Sequence, residues 1–230
     1  LGSRGQGVAR CTLEPGGRLG NCRVFTAADG LGHDSVRAIT EDRQGTLYFA
    51  TRGGGLARFD GQSFTRLTAA DGLPDDDLYA LLLTRDGREL LVGSASGVGI
   101  CSLPEVHPCR LLREGNGLAD DDVHSLFEDR EGSFWIGSEG GLSRLVRRDL
   151  RSYGEAEGLP DRQVYALAAD GAGGADFKRV AATRIPVGEH PAFRAPGREL
   201  NSLMTGSVGV AVDQPATAVL CQRCTDRAGI

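Results

Sequence analysis

One pattern, written four times, governs this chain. Gly-Leu pairs begin at Gly30, Gly72, Gly117 and Gly158, at spacings of 42, 45 and 41 residues. Each pair is followed by a short polar stretch, acidic in most copies, and then by an apolar run: Val36–Thr40, Leu78–Leu83, Val123–Phe127 and Val164–Leu167. A period of about 40–45 residues is that of propeller blades with four strands each. Helical repeats share the period, so the internal pattern has to decide.

That pattern is β. Val36-Arg37-Ala38-Ile39-Thr40 is short and rich in β-branched residues. A turn at Asp42-Arg43-Gln44-Gly45 leads into Leu47-Tyr48-Phe49-Ala50-Thr51. Thr84–Gly87 and Asp129–Gly132 repeat that turn ahead of Glu89–Val92 and Phe134–Gly137. Gly at the last turn position suits a hairpin residue with positive φ. A third strand is expected at Leu56–Phe59, Val98–Cys101 and Leu142–Leu145, and a fourth at Phe64–Leu67, Arg110–Leu112 and Arg151–Tyr153. In the second repeat Leu78, Ala80 and Leu82 should share one face, and Tyr79, Leu81 and Leu83 the other. Two apolar faces imply a sheet packed on both sides, as between stacked blades.

The expected fold is therefore all-β: a β-propeller of four-stranded blades, about four repeats being visible, read as part of a larger ring. Leu1-Gly2-Ser3 aligns with Val92-Gly93-Ser94 and Ile136-Gly137-Ser138, so residues 1–21 read as the back half of a blade. Further repeats start near residues 22, 64, 109 and 150, within a propeller region of 1–170. The alternative is a four-bladed ring whose last strand closes onto the first half blade. No period is visible in residues 171–230, which are an unassigned tail, read as poorly ordered or non-native, or else as a small appended domain. A chain that opens on Leu1 rather than Met reads as an excerpt.

Charge narrows the partners. The net charge is −5 and basic residues are interspersed with acidic ones, so nucleic-acid binding lacks electrostatic support. No apolar run approaches the roughly 20 residues of a membrane helix, and no membrane contact is expected within this stretch.

The repeats resemble those of the two-component regulator propeller family. The resemblance is carried by Glu128-Asp129, Gly132, Trp135-Ile136-Gly137-Ser138 and Gly140-Gly141-Leu142-Ser143-Arg144. Val36–Asp60 matches too, with Tyr48-Phe49-Ala50 in place of Trp-Ile-Gly, while the copy at Leu78 has Leu83-Thr84 for Glu-Asp and no aromatic in its second strand. The resemblance implies a periplasmic, ligand-sensing module, often for an oligosaccharide, and self-association through the propeller surface. It implies a parent protein in which a histidine kinase or other output domain follows, with no enzyme activity in this stretch. A protein-binding scaffold and a propeller-fold glycan hydrolase or lyase are the alternatives.

Cysteine placement adds an independent argument. Cys11 and Cys101 each end a third strand, and Cys22 and Cys109 each lie eight residues before a Gly-Leu pair. Disulfides Cys11–Cys22 and Cys101–Cys109 are expected across the hairpin of the third and fourth strands, which favours an oxidising compartment such as the periplasm. Cys221-Gln222-Arg223-Cys224 lacks the second pair that a zinc knuckle requires.

Two sets of residues are candidates for ligand contact. The entry loops are acidic, and Asp34, Asp76, Asp77, Asp121 and Asp122 would crowd one face of a propeller. Carboxylates accept hydrogen bonds from hydroxyl groups, although Asp also serves turns through its own side chain. Beside them, the second residue of each first strand changes from repeat to repeat: Arg37, Tyr79, His124 and Tyr165. Variation inside a fixed frame is where repeat proteins place contacts. A sugar or other small polar ligand is the expected partner. His33, His107, His124 and His190 show no metal spacing, so no metal and no cofactor are expected. Carboxylate pairs for glycosidase chemistry stay open.

Overall fold

The computed structural model describes residues 2, 3, 5–146, 149–159, 161–169 and 175–178. They form three complete antiparallel sheets of four strands and two sheets of two strands. The short first sheet joins β1 (Val8–Leu13) to β2 (Leu19–Phe25). The first complete sheet runs β3 (Val36–Glu41), β4 (Leu47–Thr51), β5 (Leu56–Phe59), β6 (Phe64–Leu67) in sequence order. The second is β7 (Leu78–Leu83), β8 (Glu89–Ser94), β9 (Gly97–Ser102), β10 (Cys109–Leu112). The third is β11 (Val123–Glu128), β12 (Phe134–Ser138), β13 (Leu142–Val146), β14 (Asp149–Tyr153). The last pairs β15 (Ala166–Ala169) with β16 (Ala175–Lys178). Strand β16 continues the blade past Asp170, where the sequence pattern stops. The rest of the expected 171–230 tail lies outside the described residues, as does the Cys221/Cys224 pair.

The sheets converge on their first strands: β3 lies against β7, β7 against β11, and β11 against β15. This is the arrangement of propeller blades around an axis. Apolar layers fill the space between sheets. Tyr48, Leu56, Leu78, Leu90 and Val92 pack between the first and second complete sheets. Leu91, Ile100, Val123, Leu126 and Ile136 pack between the second and third. Val8 and Phe25 of the half blade join Phe49 and Phe59, and Leu142 meets Val164 and Leu167 at the other end.

One expectation about faces is corrected. Leu78 and Leu81 pack toward the preceding blade, while Ala80 and Leu82 pack toward the next. The cause is a register shift between Leu78 and Ala80, where Tyr79 is the extra residue and breaks the alternation. The same irregularity lies between Val36 and Ala38 and between Val123 and Ser125.

Repeated side-chain bonds hold each blade. Tyr48 donates its hydroxyl to Asp42 Oδ2 at 3.0 Å, and Trp135 Nε1 donates to Asp129 Oδ2 at 2.8 Å. Burial and the Asp42 bond push the Tyr48 phenol up to about 12. The hydroxyls of Ser3, Thr51, Ser94 and Ser138 donate to the carbonyls of Gly7, Gly55, Gly97 and Gly141 at 2.7–3.1 Å, closing the turn into the third strand. Ser3 thus holds the place that its alignment with Ser138 predicts. Gly137 allows a close approach: a Cβ there would sit 2.6 Å from the Val164 carbonyl oxygen, two residues ahead of β15.

Both disulfides are present. Cys101 and Cys109 are direct partners across β9 and β10, with Cα atoms 4.1 Å apart. Cys11 and Cys22 bridge β1 and β2 at a register shift, with Cα atoms 4.0 Å apart. No helix among the described residues is long and apolar enough to cross a membrane.

Candidate functional site

Each entry loop is a one-turn 3-10 helix followed by a tight bend, and most of its acidic residues serve that shape. The helices are Ala27–Asp29, Ala69–Asp71, Glu114–Asn116 and Glu155–Glu157. Their last residues reach back to the backbone N–H groups of Thr26, Thr68, Arg113 and Gly154 at 2.7–2.8 Å. The Gly of each Gly-Leu pair then adopts a φ of 97–110°, a left-handed conformation that favours glycine.

Asp34, Asp76 and Asp121 accept from the N–H groups of Ala27, Ala69 and Glu114 at 2.6–2.7 Å. These three predicted contacts are therefore held in the loop itself. One residue earlier, Asp75, Asp120 and Asp161 accept from the N–H two residues on, at 2.8–2.9 Å, and His33 Nδ1 does the same for Ser35. Of each acidic run only the last residue, Asp77 or Asp122, sends its carboxylate to a side chain of the first strand.

The four variable residues form one continuous stack. The Arg37 guanidinium lies over the Tyr79 ring, 4.2 Å from its centroid. Tyr79 stacks on His124 with centroids 5.1 Å apart, and His124 meets Tyr165 at 4.6 Å. Four consecutive blades thus contribute one side chain each. For Arg37, Tyr79 and His124 the strand irregularity explains the aim: the extra residue leaves the ladder, and its side chain turns from the blade layers to the row of first strands.

Carboxylates border the stack. Arg37 Nη1 lies 3.3 Å from Asp77 Oδ1. His124 Nε2 lies 3.5 Å from Asp122 Oδ1 and 3.6 Å from Glu139 Oε1, and the Tyr165 hydroxyl donates to the same Glu139 oxygen at 3.2 Å. Burial pushes the Asp122 carboxyl above its usual range; His124 opposes this, while Glu139, Asp120 and Asp77 add to it. Burial, then Asp122 and Asp77, likewise push the Tyr79 phenol up. The centre is partly open: side-chain exposure is 20% for His124, 33% for Asp77 and 44% for Glu139.

Glu139 was not singled out by sequence. It follows Ser138 at the end of β12, where the other repeats have Arg52 and Ala95, so it varies inside a fixed frame just as His124 does. The backbone explains its placement, since Glu139 N–H donates to the Asp122 carbonyl at 3.1 Å. The four histidines show no metal spacing in sequence, and the fold brings one of them, His124, together with Asp122 and Glu139, their ligand atoms all within 4.8 Å of one another.

Residues 30–53 and 117–140 match the family model described as two component regulator propeller. Among solved structures, the extracellular domain of the hybrid two component system BT3049 from B. thetaiotaomicron superposes with a TM-score of 0.61 at 17% identity, over 67% of this chain and 22% of that one. The extracellular domain of the hybrid two component system BT4673 from the same organism gives 0.62 at 19% identity, over 76% and 26%. A protein described as a gluconolactonase, XC5397 from Xanthomonas campestris, gives 0.53 at 17% identity, over 76% and 63%. The chain spans about a quarter of the two extracellular domains. No curated protein matches it. These likenesses establish the propeller fold, and the family resemblance covers two segments of the chain, one in each of two blades.

Proposed function

We propose that these two component regulator propeller repeats form the ligand-sensing module of an extracytoplasmic signal transduction protein, and that the stack of Arg37, Tyr79, His124 and Tyr165 receives a carbohydrate or other small polar ligand. The stack is the observation that carries this reading. Its four members come from four consecutive blades and change from each blade to the next, with three residue types at the four positions, while the residues around them repeat. A surface that varies within a constant scaffold is suited to recognition. Tyr79 and Tyr165 supply amphipathic rings, and Asp77, Asp122 and Glu139 supply acceptors for sugar hydroxyls. Two disulfides support a periplasmic or cell-surface setting, because such bridges persist in oxidising compartments. In this reading the signalling output resides elsewhere in a longer protein.

Thermal-shift screening of the chain against neutral and acidic oligosaccharides tests the proposal, followed by calorimetry on hits. Binding should be lost in Tyr79→Ala and weakened at least tenfold in Asp77→Asn. A folded protein that binds none of them, or whose binding survives both substitutions, would refute it. Turnover of the added glycan would replace it with the hydrolase alternative.

A further inference from the structure

The cluster beside His124 has more polar character than a sugar site needs. His124 Nε2 and Asp122 Oδ1 are both fully shielded from solvent, and neither has a hydrogen-bond partner. Buried polar atoms are seldom left in that condition. Their spacing suggests what completes them. Zinc binds imidazole nitrogen and carboxylate oxygen at about 2.0–2.2 Å with tetrahedral geometry, which sets its ligands about 3.3–3.5 Å apart. The distances from His124 Nε2 are 3.5 Å to Asp122 Oδ1 and 3.6 Å to Glu139 Oε1. Magnesium, at about 2.0–2.1 Å in octahedral geometry, would need its ligands nearer about 3 Å, and both magnesium and calcium prefer oxygen donors throughout.

We infer that Asp122, His124 and Glu139 form a binding site for a zinc-class divalent cation. Three protein ligands leave a coordination position free for water or for an oxygen of a bound molecule. Neighbouring residues hold the ligands in place. Tyr165 donates to Glu139 Oε1 and fixes that carboxylate, and the Tyr79 ring stacks on the imidazole and fixes its plane. Partners of this kind orient metal ligands and tune affinity. A further carboxylate stands beside the cluster, since Asp120 Oδ1 accepts from the Asp122 N–H at 2.8 Å. This site shares Asp122, His124 and Glu139 with the proposed sugar-binding surface, but it is tested separately, because a cation can occupy it with no organic ligand present.

The test uses the full chain, treated with chelator and carrying Cys221→Ser and Cys224→Ser so that tail thiols take up no metal. Zinc titrated calorimetrically should bind at one ion per chain, and cobalt should give the intense visible bands of a four-coordinate site. His124→Gln and Glu139→Gln should each weaken zinc binding by more than about tenfold and abolish the cobalt bands. Tyr165→Phe should weaken it by about tenfold. Far-UV circular dichroism and the denaturation midpoint establish that each variant is folded. The inference is overturned if the folded parent takes up no zinc, or if folded His124→Gln and Glu139→Gln bind as the parent does.

Discussion

Removing the two disulfides should expose a difference between a complete blade and a half blade. The bridge Cys101–Cys109 closes a separation of 8 residues and Cys11–Cys22 one of 11. Loop-closure entropy alone then assigns them about 2.5 and about 2.8 kcal/mol, slightly favouring the longer loop. Structure reverses that order for global unfolding. Cys101 is fully buried in the layer that also holds Tyr48, Leu78 and Leu90, so losing its bridge loosens a sheet packed on both sides. Cys11–Cys22 staples a two-stranded sheet moored in the core by Val8 and Phe25, while Leu13 at its far end is 73% exposed. Two strands alone are marginal, so that hairpin opens locally at low cost. Cys101→Ala/Cys109→Ala should therefore lower the denaturant-derived stability by about 2–3 kcal/mol. Cys11→Ala/Cys22→Ala should change it by less than about 1 kcal/mol while speeding proteolysis between Leu13 and Leu19. The assay is equilibrium urea unfolding with limited proteolysis, each variant's remaining bridge confirmed by mass. Equal global losses, or protease resistance in the second variant, would refute the reasoning.

Gly137→Ala should cost about 1–3 kcal/mol by overpacking against Val164, whereas Gly115→Ala, where a Cβ meets nothing within 4 Å, should be neutral or mildly stabilising in the same urea titration. Asp122→Asn should raise the melting temperature of metal-free protein at neutral pH, because a carboxyl pushed up by burial is less favourably ionised in the folded chain than in the unfolded one; an unchanged or lower value would contradict this. Acid should destabilise the fold in a defined window. For Asp75 and Asp129 burial is outweighed, by Asp77 N–H and Ser96 in one case and by Trp135 and Ser133 in the other, so both carboxyls lie below the ordinary 3.8. Groups with depressed folded values contribute fully above the unfolded value and lose that contribution as pH falls through the folded one, so melting temperature should drop below about pH 4.

The blades were legible because their signals are local and repeated. A Gly at each hairpin and a Ser or Thr closing the next turn recur at a fixed spacing, joined in the first and third complete blades by a Tyr or Trp at the second position of the second strand, and each acts within its own repeat. The face assignment of the second first strand was not legible. Alternation predicts that Leu78 and Ala80 share a face, but the extra residue at Tyr79 is a property of pairing with β8, and an apolar run carries no mark of it. The strand Ala175–Lys178 escaped for a related reason: its partner β15 supplies the definition that its own composition lacks.

The site divides along the same line. Arg37, Tyr79, His124 and Tyr165 could be picked out as variable positions, but only the stacking of successive blades makes them neighbours. The aspartates look equivalent as letters. In Asp120-Asp121-Asp122 the first accepts from the backbone two residues on, the second from the start of the preceding 3-10 helix, and only the third is left for His124. Asp75-Asp76-Asp77 divides identically, with Arg37 as the partner of the third. The rule extends to Ser35 and Gln163, which occupy the same place in the outer repeats and carry no charge. Negative charge from that position is thus confined to the two middle repeats, and Glu139 adds to it on the third. Recognition along the stack is consequently asymmetric: a guanidinium at one end, a carboxylate-rich histidine centre beyond it, and a phenol at the other end.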